Sequence, residues 1–227
     1  MPSPTVQRIE RSQTSEATEV LVRAFDDSPI MRHLLPGAAL RARGTRKFFG
    51  AGIVDARPFG EVWVASESDT ILGTMVWLPP GRYPPSFWRQ ERQLAKLATI
   101  APVAPRALWR SFGYLHVVER SHPKDEPHWY LGLLGVDPLH QRTGIGTQLL
   151  DAVLPRVDAD GFPAYLETDR EANLPYTRTG ASSCARPCTR SRTGPRPGPC
   201  GATAVRVGRP HGGQAGGSCV SHDRRRQ

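Results

Sequence analysis

The chain has 227 residues, of which 38% are hydrophobic, and its 30 basic and 21 acidic residues give a formal charge of +9. That length supports one domain with a sizeable core and not clearly two. No stretch approaches the roughly 20 apolar residues of a membrane span, and Met1-Pro-Ser-Pro-Thr5 opens no apolar leader, so a soluble cytoplasmic chain is the default expectation. The charge would ordinarily point to nucleic acid. Its distribution argues against that partner, because ten of the basic residues and one acidic residue lie in 177–227, leaving residues 1–176 with 20 of each.

In chain order, Thr5–Glu10 reads as a first strand. Ser15–Phe25 reads as a helix capped by Ser15, with Val20, Leu21 and Phe25 on its apolar side. Ser28–Leu35 and Ala38–Asp55 continue as helix, the second weakened by Gly44. Glu61–Ala65 and Thr70–Leu78 form a strand pair around the polar turn Ser66–Asp69. Pro79-Pro-Gly81 and Pro84-Pro85 mark a loop. Helices are predicted over Ser86–Thr99 and Pro105–Glu119, separated by Pro102 and Pro105.

The most informative stretch comes next. Leu131–Val136 is an almost continuous apolar run, as in a strand buried on both faces. Asp137-Pro138 ends it. From Ile145, apolar residues at Leu149, Leu150, Val153, Leu154 and Val157 keep helical spacing. The first turn of that helix offers free N–H groups and the positive end of the dipole, which suit an anion. Gly144 and Gly146 let a ligand approach the backbone. Gln141, Arg142 and Thr143 can add side-chain donors. Ala164–Thr168 reads as a second strand, so strand, helix and strand over about 40 residues make a parallel crossover. The stretch is not a P-loop, since no Gly-Lys-Ser/Thr comes after it, and the long dinucleotide fingerprint is missing.

Gln141-Arg-Thr-Gly-Ile-Gly146 closely resembles the acyl-CoA signature of the GNAT N-acetyltransferases, Q/R-x-x-G-x-G/A. Leu134-Gly-Val136-Asp-Pro138 is similar to that family's fourth strand, and Asn173-Leu-Pro-Tyr176 to the opening of its fourth helix. The resemblance covers residues 5–176 and implies a mixed α/β GNAT fold, a central mixed sheet flanked by helices. It implies acetyl-CoA as co-substrate and transfer of its acetyl group to a primary amine of a small or amino-acid-like acceptor, by a monomer or homodimer. Backbone groups of Leu134, Gly135 and Val136 would then meet the pantetheine arm. The N–H groups of Arg142, Thr143, Gly144, Ile145, Gly146 and Thr147 would hold the pyrophosphate, with Gln141 beside them and Asn173 near the sulfur.

Such a transfer needs a base for the amine and a proton for the departing thiolate. Glu167, at a strand end facing a cleft, is the candidate base; a solvated or capping carboxylate is the alternative. His128 and Glu119 are weaker candidates. The family's acid is a tyrosine whose aligned position falls on Thr177, a poor donor, so Tyr176 is the nearest replacement, with aromatic packing as its alternative. Trp129 and Tyr130 could line the acceptor pocket or serve packing.

After Tyr176 the composition changes. Residues 177–227 hold no Phe, Trp, Tyr, Leu, Ile or Met, only three Val, and all four Cys of the chain. A disordered Arg/Gly/Pro-rich tail is expected. The last strands of the sheet would then be missing, which would leave an open edge on Ala164–Thr168. Read one base earlier, Thr177–Ala185 can encode Tyr-Ala-His-Arg-Gly-Phe-Glu-Leu-Arg, which restores the family's Tyr and Gly-Phe, so a frameshift is expected near residue 176. An acetyl-CoA-binding protein damaged in catalysis is therefore the alternative function. Cys184, Cys188, Cys200, His211, Cys219 and His222 match no paired zinc spacing, and no metal is expected. An Arg224-Arg-Arg226 nucleic-acid arm is the lesser reading.

Overall fold

The computed structural model describes residues 4–83, 104–123, 126–168, 173, 186–187 and 203–207. Its strands are β1 (Thr5–Arg8), β2 (Val62–Glu67), β3 (Thr70–Leu78), β4 (Trp129–Val136), β5 (Ala164–Thr168), β6 (Arg186–Pro187) and β7 (Thr203–Val207). Its helices are α1 (Thr14–Ala24), α2 (Pro29–Leu34), α3 (Ala38–Ala56), α4 (Pro105–Ser121) and α5 (Ile145–Asp160). The strands share one sheet in the order β1-β2-β3-β4-β5-β7-β6. The β4–β5 pair is parallel and the others are antiparallel. This is the mixed α/β sheet flanked by helices that the sequence implied. The helix predicted over Ser86–Thr99 lies outside the described residues.

Local chemistry accounts for most boundaries. Ser68 and Asp69 both take positive φ, 47° and 68°, as a two-residue hairpin turn requires, so β2 runs on to Glu67 and the turn is tighter than expected. Helix α1 starts at Thr14 with Gln13 at the cap and no side-chain cap bond, so Ser15 sits inside the first turn rather than capping it. Helix α3 runs unbroken through Gly44, which is buried; packing outweighs the propensity cost of about 1 kcal/mol.

β3 lies at the centre, buried from Ile71 to Leu78. On one face, Ala17, Val20 and Leu21 of α1 and Phe49 and Ile53 of α3 pack on Val64, Ile71 and Val76. On the other, Ile145, Leu149, Val153 and Val157 of α5 pack on Met75, Trp77, Trp129 and Leu166. Glu61 is fully buried, and such a carboxylate is tolerable only when paired. It accepts hydrogen bonds from Arg8 of β1, Trp63 of β2 and Arg156 of α5, fastening that helix to the sheet.

Beyond the five strands read from the sequence, two short tail segments extend the sheet past β5. β7 pairs antiparallel along the whole of β5, from Ala164↔Val207 to Thr168↔Thr203, and β6 pairs with β7. Five strands were expected to end the sheet, and the tail adds two. The reason lies in Thr203-Ala-Val-Arg-Val207: two of the three tail valines fall in one alternating, β-branched run that suits a waiting strand edge. The composition of 177–227 as a whole hid that run. Within 177–227 only 186–187 and 203–207 are described, and the other positions lie outside the described residues.

Candidate functional site

The site forms where β4 and β5 part. Their parallel pairing covers only Trp129↔Ala164, Tyr130↔Tyr165 and Leu131↔Leu166. β3 accompanies β4 as far as Gly73↔Val136. Among the described strands, the stretch from Leu133 to Val136 is therefore paired on its β3 side only, and its other edge opens into the gap. The β3–β4 register shifts between Val76↔Leu133 and Trp77↔Leu131, so Gly132 is an extra, bulged residue. A bulge bends a strand and re-aims its next residues, and this one turns β4 as it leaves β5.

The turn after β4 is fixed from several directions. The Asp137 N–H donates to the Leu72 carbonyl at 2.8 Å. The Asp137 carboxylate accepts from the Leu139 N–H at 3.0 Å and from Arg23 Nε at 2.7 Å. Burial pushes that carboxyl upward, but the bonds from Leu139 and Arg23 outweigh it and hold the group below its ordinary value. The Gln141 side-chain amide donates to the Val136 carbonyl at 3.1 Å, and the Thr143 hydroxyl to the His140 carbonyl at 2.6 Å. These two side chains, read from the sequence as ligand donors, direct those donors at the turn itself. Between them Arg142 adopts a left-handed φ of 65°, a strain of about 1–3 kcal/mol that its anchored neighbours sustain.

Gly144 caps α5 with φ 88°. No atom lies within 4 Å of where its Cβ would stand, and at Gly146 the nearest is Val136 Cγ2 at 3.9 Å. The first intrahelical bond runs from the Gln148 N–H to the Gly144 carbonyl at 3.0 Å. The N–H groups of Ile145, Gly146 and Thr147 precede it and have no acceptor within the helix. The cradle is thus open in front of unsatisfied donors, which fits a pyrophosphate. Ile145 contributes only its N–H, since its side chain is buried. It packs over Gly73, where a Cβ would come within 2.9 Å of Ile145 Cγ2; a larger residue there would lift the helix N-terminus off the sheet. Gly135 does the same for α1, with a would-be Cβ 2.8 Å from Leu21 Cδ2. Leu134 and Val136 pack their side chains against the α5 core, leaving their backbone for the gap.

Glu167 stands one residue beyond the last β4–β5 pair. Its side chain is 11% exposed. Oε2 accepts from the Tyr130 hydroxyl at 2.8 Å, and Oε1 lies 3.6 Å from His122 Nδ1. His122 Nε2 is 2.7 Å from His128 Nε2, and His128 Nδ1 is 2.7 Å from the Glu126 carbonyl. Burial, then the Glu167 charge, pushes the Tyr130 phenol well above its ordinary value, so it remains a donor. Burial holds His128 below its own, opposed by the Glu126 carbonyl. The rings of Tyr83 and Tyr165 close around His122, at centroid distances of 4.0 and 4.8 Å.

Of the pair read as pocket aromatics, only Tyr130 reaches the site. Trp129 points to the opposite face, as strand alternation demands, and meets Trp77 edge-on at 6.3 Å. Asn173 donates to the Thr168 hydroxyl at 3.1 Å, closing over the end of β5. The Glu119 side chain, Tyr176 and Thr177 lie outside the described residues. The sequence reading missed His122 and the Gly132 bulge. The only local hint of the first was a second histidine six residues before His128. Among the described residues no cluster of acidic, His and Cys side chains could hold a metal ion, and no helix is long and apolar enough to cross a membrane.

Residues 32–178 match the model of the acetyltransferase (GNAT) family. Among solved structures, the chain is similar to a histone acetyltransferase HPA2 and related acetyltransferase of Corynebacterium glutamicum, with 23% identity, TM-score 0.60, and coverage of 92% of this chain and 97% of that one. The PaiA N-acetyltransferase of Thermoplasma acidophilum, solved with coenzyme A, is 10% identical over 91% of this chain and 99% of that one, at TM-score 0.53. The polyamine N-acetyltransferase of Drosophila melanogaster is 18% identical over 89% and 97%, at TM-score 0.50. At these identities the structures speak for the fold, and the family match speaks for the family.

Proposed function

The chain belongs to the GNAT family of acetyl-CoA-dependent N-acetyltransferases, and we propose that it acetylates the primary amine of a small, cationic acceptor. Acetyl-CoA supplies the acetyl group as a thioester. The N–H groups from Arg142 to Thr147 would bind the pyrophosphate on the dipole of α5. The free edge of Leu134–Val136 would align the pantetheine arm, and the Val136 N–H would polarise the thioester carbonyl. Asn173 would stand near the sulfur. Glu167 would draw in the ammonium group and take its proton.

The observation that carries this reading is a largely buried carboxylate at the mouth of the β4–β5 gap, oriented by the Tyr130 hydroxyl and backed by His122, whose ring is enclosed by Tyr83 and Tyr165. A carboxylate with tyrosines beside it favours a cationic amine. The likeness to a polyamine acetyltransferase points the same way. The loss of the family pattern after Tyr176 favours a second reading, acetyl-CoA binding without turnover.

A thiol-release assay over a polyamine, an arylalkylamine and an amino acid tests the proposal. We expect turnover with at least one amine, and Glu167→Gln should lower kcat about 10²–10⁴-fold. Acetyl-CoA binding without thiol release from any amine would establish the second reading instead.

A further inference from the structure

Acetylation removes two protons from an ammonium group, one before attack and one after, while a single carboxylate can hold only one. Behind Glu167 the structure places a second seat. Neither Oε1 of Glu167 nor Nδ1 of His122 has a hydrogen-bond partner among the described residues, although both are buried. They face each other across 3.6 Å, slightly too far for a hydrogen bond and close enough for a proton to draw them together. Catalytic contacts are commonly long before substrate arrives.

The far end of this chain of contacts sets the tautomers. A carbonyl oxygen can only accept, so His128 Nδ1, at 2.7 Å from the Glu126 carbonyl, carries a hydrogen. Burial disfavours the charged form of His128, which leaves its Nε2 as a lone pair. His122 Nε2, 2.7 Å away, must then donate to it. With its hydrogen on Nε2, neutral His122 presents a lone pair at Nδ1, aimed at Glu167. The groups around the two histidines are Glu167, Glu126, Tyr83, Tyr130 and Tyr165; the Glu126 charge acts on His128, and Glu167 is the carboxylate that meets His122 Nδ1.

We infer that His122 is a second proton acceptor behind Glu167, held in the one receptive tautomer by His128. This rests on the proposed role of Glu167. The first ammonium proton passes to Glu167 and on to His122 Nδ1, which restores the carboxylate. The amine nitrogen then bonds to the thioester carbon. The tetrahedral adduct gives its second proton to Glu167, the C–S bond breaks, and the sulfur takes that proton as the thiol. The His122 proton returns through Glu167 to water as the products leave. One N–C and one S–H bond form, two N–H bonds and one C–S bond break, and one proton reaches solvent per turnover. His122 and His128 act through Glu167 and are positioning residues.

The test combines His122→Gln and His128→Gln with a long-range imidazole nitrogen spectrum of the wild-type protein. We expect each variant to lower kcat about 10- to 100-fold and to displace the acid limb of its pH profile. The acetyl-CoA Kd and the amine KM should stay within about threefold. The spectrum should show His128 protonated at Nδ1 and neutral His122 at Nε2, with His122 responding to Glu167→Gln. Wild-type kcat and pH profile in a folded His122→Gln protein, alongside an inactive Glu167→Gln, would overturn the inference and leave Glu167 as base. Full activity in Glu167→Gln would instead overturn the reading of Glu167. If the His122 variant does not fold, the wild-type spectrum decides: neutral His122 protonated at Nδ1 refutes the arrangement.

Discussion

Gly146 separates what the cradle does for the fold from what it does for a ligand. A methyl group there meets its first neighbour, Val136 Cγ2, at 3.9 Å, an ordinary contact. Gly146→Ala should therefore fold, gaining about 0.5–1 kcal/mol from reduced backbone freedom. For a protein of this size that raises Tm by roughly 1–4 °C. The family signature admits alanine here, so the acetyl-CoA Kd should change by less than about threefold. Gly146→Trp differs in one respect. Its indole must extend into the open space between the first turn of α5 and the end of β4, where the pyrophosphate would lie. The Tm should stay within a few degrees, while Kd should rise at least about 100-fold, or about 2.7 kcal/mol. Calorimetric titration of both variants with acetyl-CoA, beside thermal melts, reads the two effects separately. A folded Gly146→Trp protein that binds as tightly as wild type would refute the cradle.

The same geometry yields three more expected outcomes. Tyr130→Phe strips Glu167 Oε2 of its donor, which should destabilise the fold by about 1–3 kcal/mol and lower kcat several-fold; because burial keeps the phenol protonated, the loss should be uniform across the neutral and mildly alkaline range, and a loss confined to high pH in the rate profile would contradict it. Gly135→Ala pushes a Cβ to 2.8 Å from Leu21 Cδ2 and 3.0 Å from Ala24 Cβ, so urea unfolding should show a cost of about 1–3 kcal/mol, and unchanged stability would mean that α1 shifts freely. The Asp137 carboxyl is depressed in the folded state, so its contribution is present above the unfolded value of about 3.9 and fades as pH falls through the folded one. Arg23→Ala should therefore cost about 1 kcal/mol at pH 7, discounted for the half-exposed arginine, and the gap to wild type should narrow below about pH 4. An equal gap at both pH values would argue against the Arg23–Asp137 pair.

The cradle was legible because its determinants are local. An apolar run, Asp137-Pro138 and two glycines sit side by side in the chain, and each acts through the backbone of its own neighbourhood. Glu167 was legible for a related reason, as a carboxylate at the end of a short apolar strand beside a crossover. The features that escaped depend on register and on contacts between distant segments. The Gly132 bulge exists only relative to Val76 and Trp77 of the neighbouring strand. His122 lies past the end of α4 and acquires meaning only when the β4–β5 gap brings Glu167 to it. Trp129 and Tyr130 looked alike in sequence, and the pleat sent one into the core and the other to the site. Thr203–Val207 was masked by the composition around it, though its alternation was present throughout.

Titration of the intact chain with acetyl-CoA tests the central claim most directly. The account predicts saturable one-to-one binding, with Kd on the order of micromolar to submillimolar as for typical enzyme substrates, competed by free coenzyme A and abolished in Gly146→Trp. A chain shown to be folded by its melting transition, yet giving no saturable heat and no competition up to millimolar ligand, would contradict it.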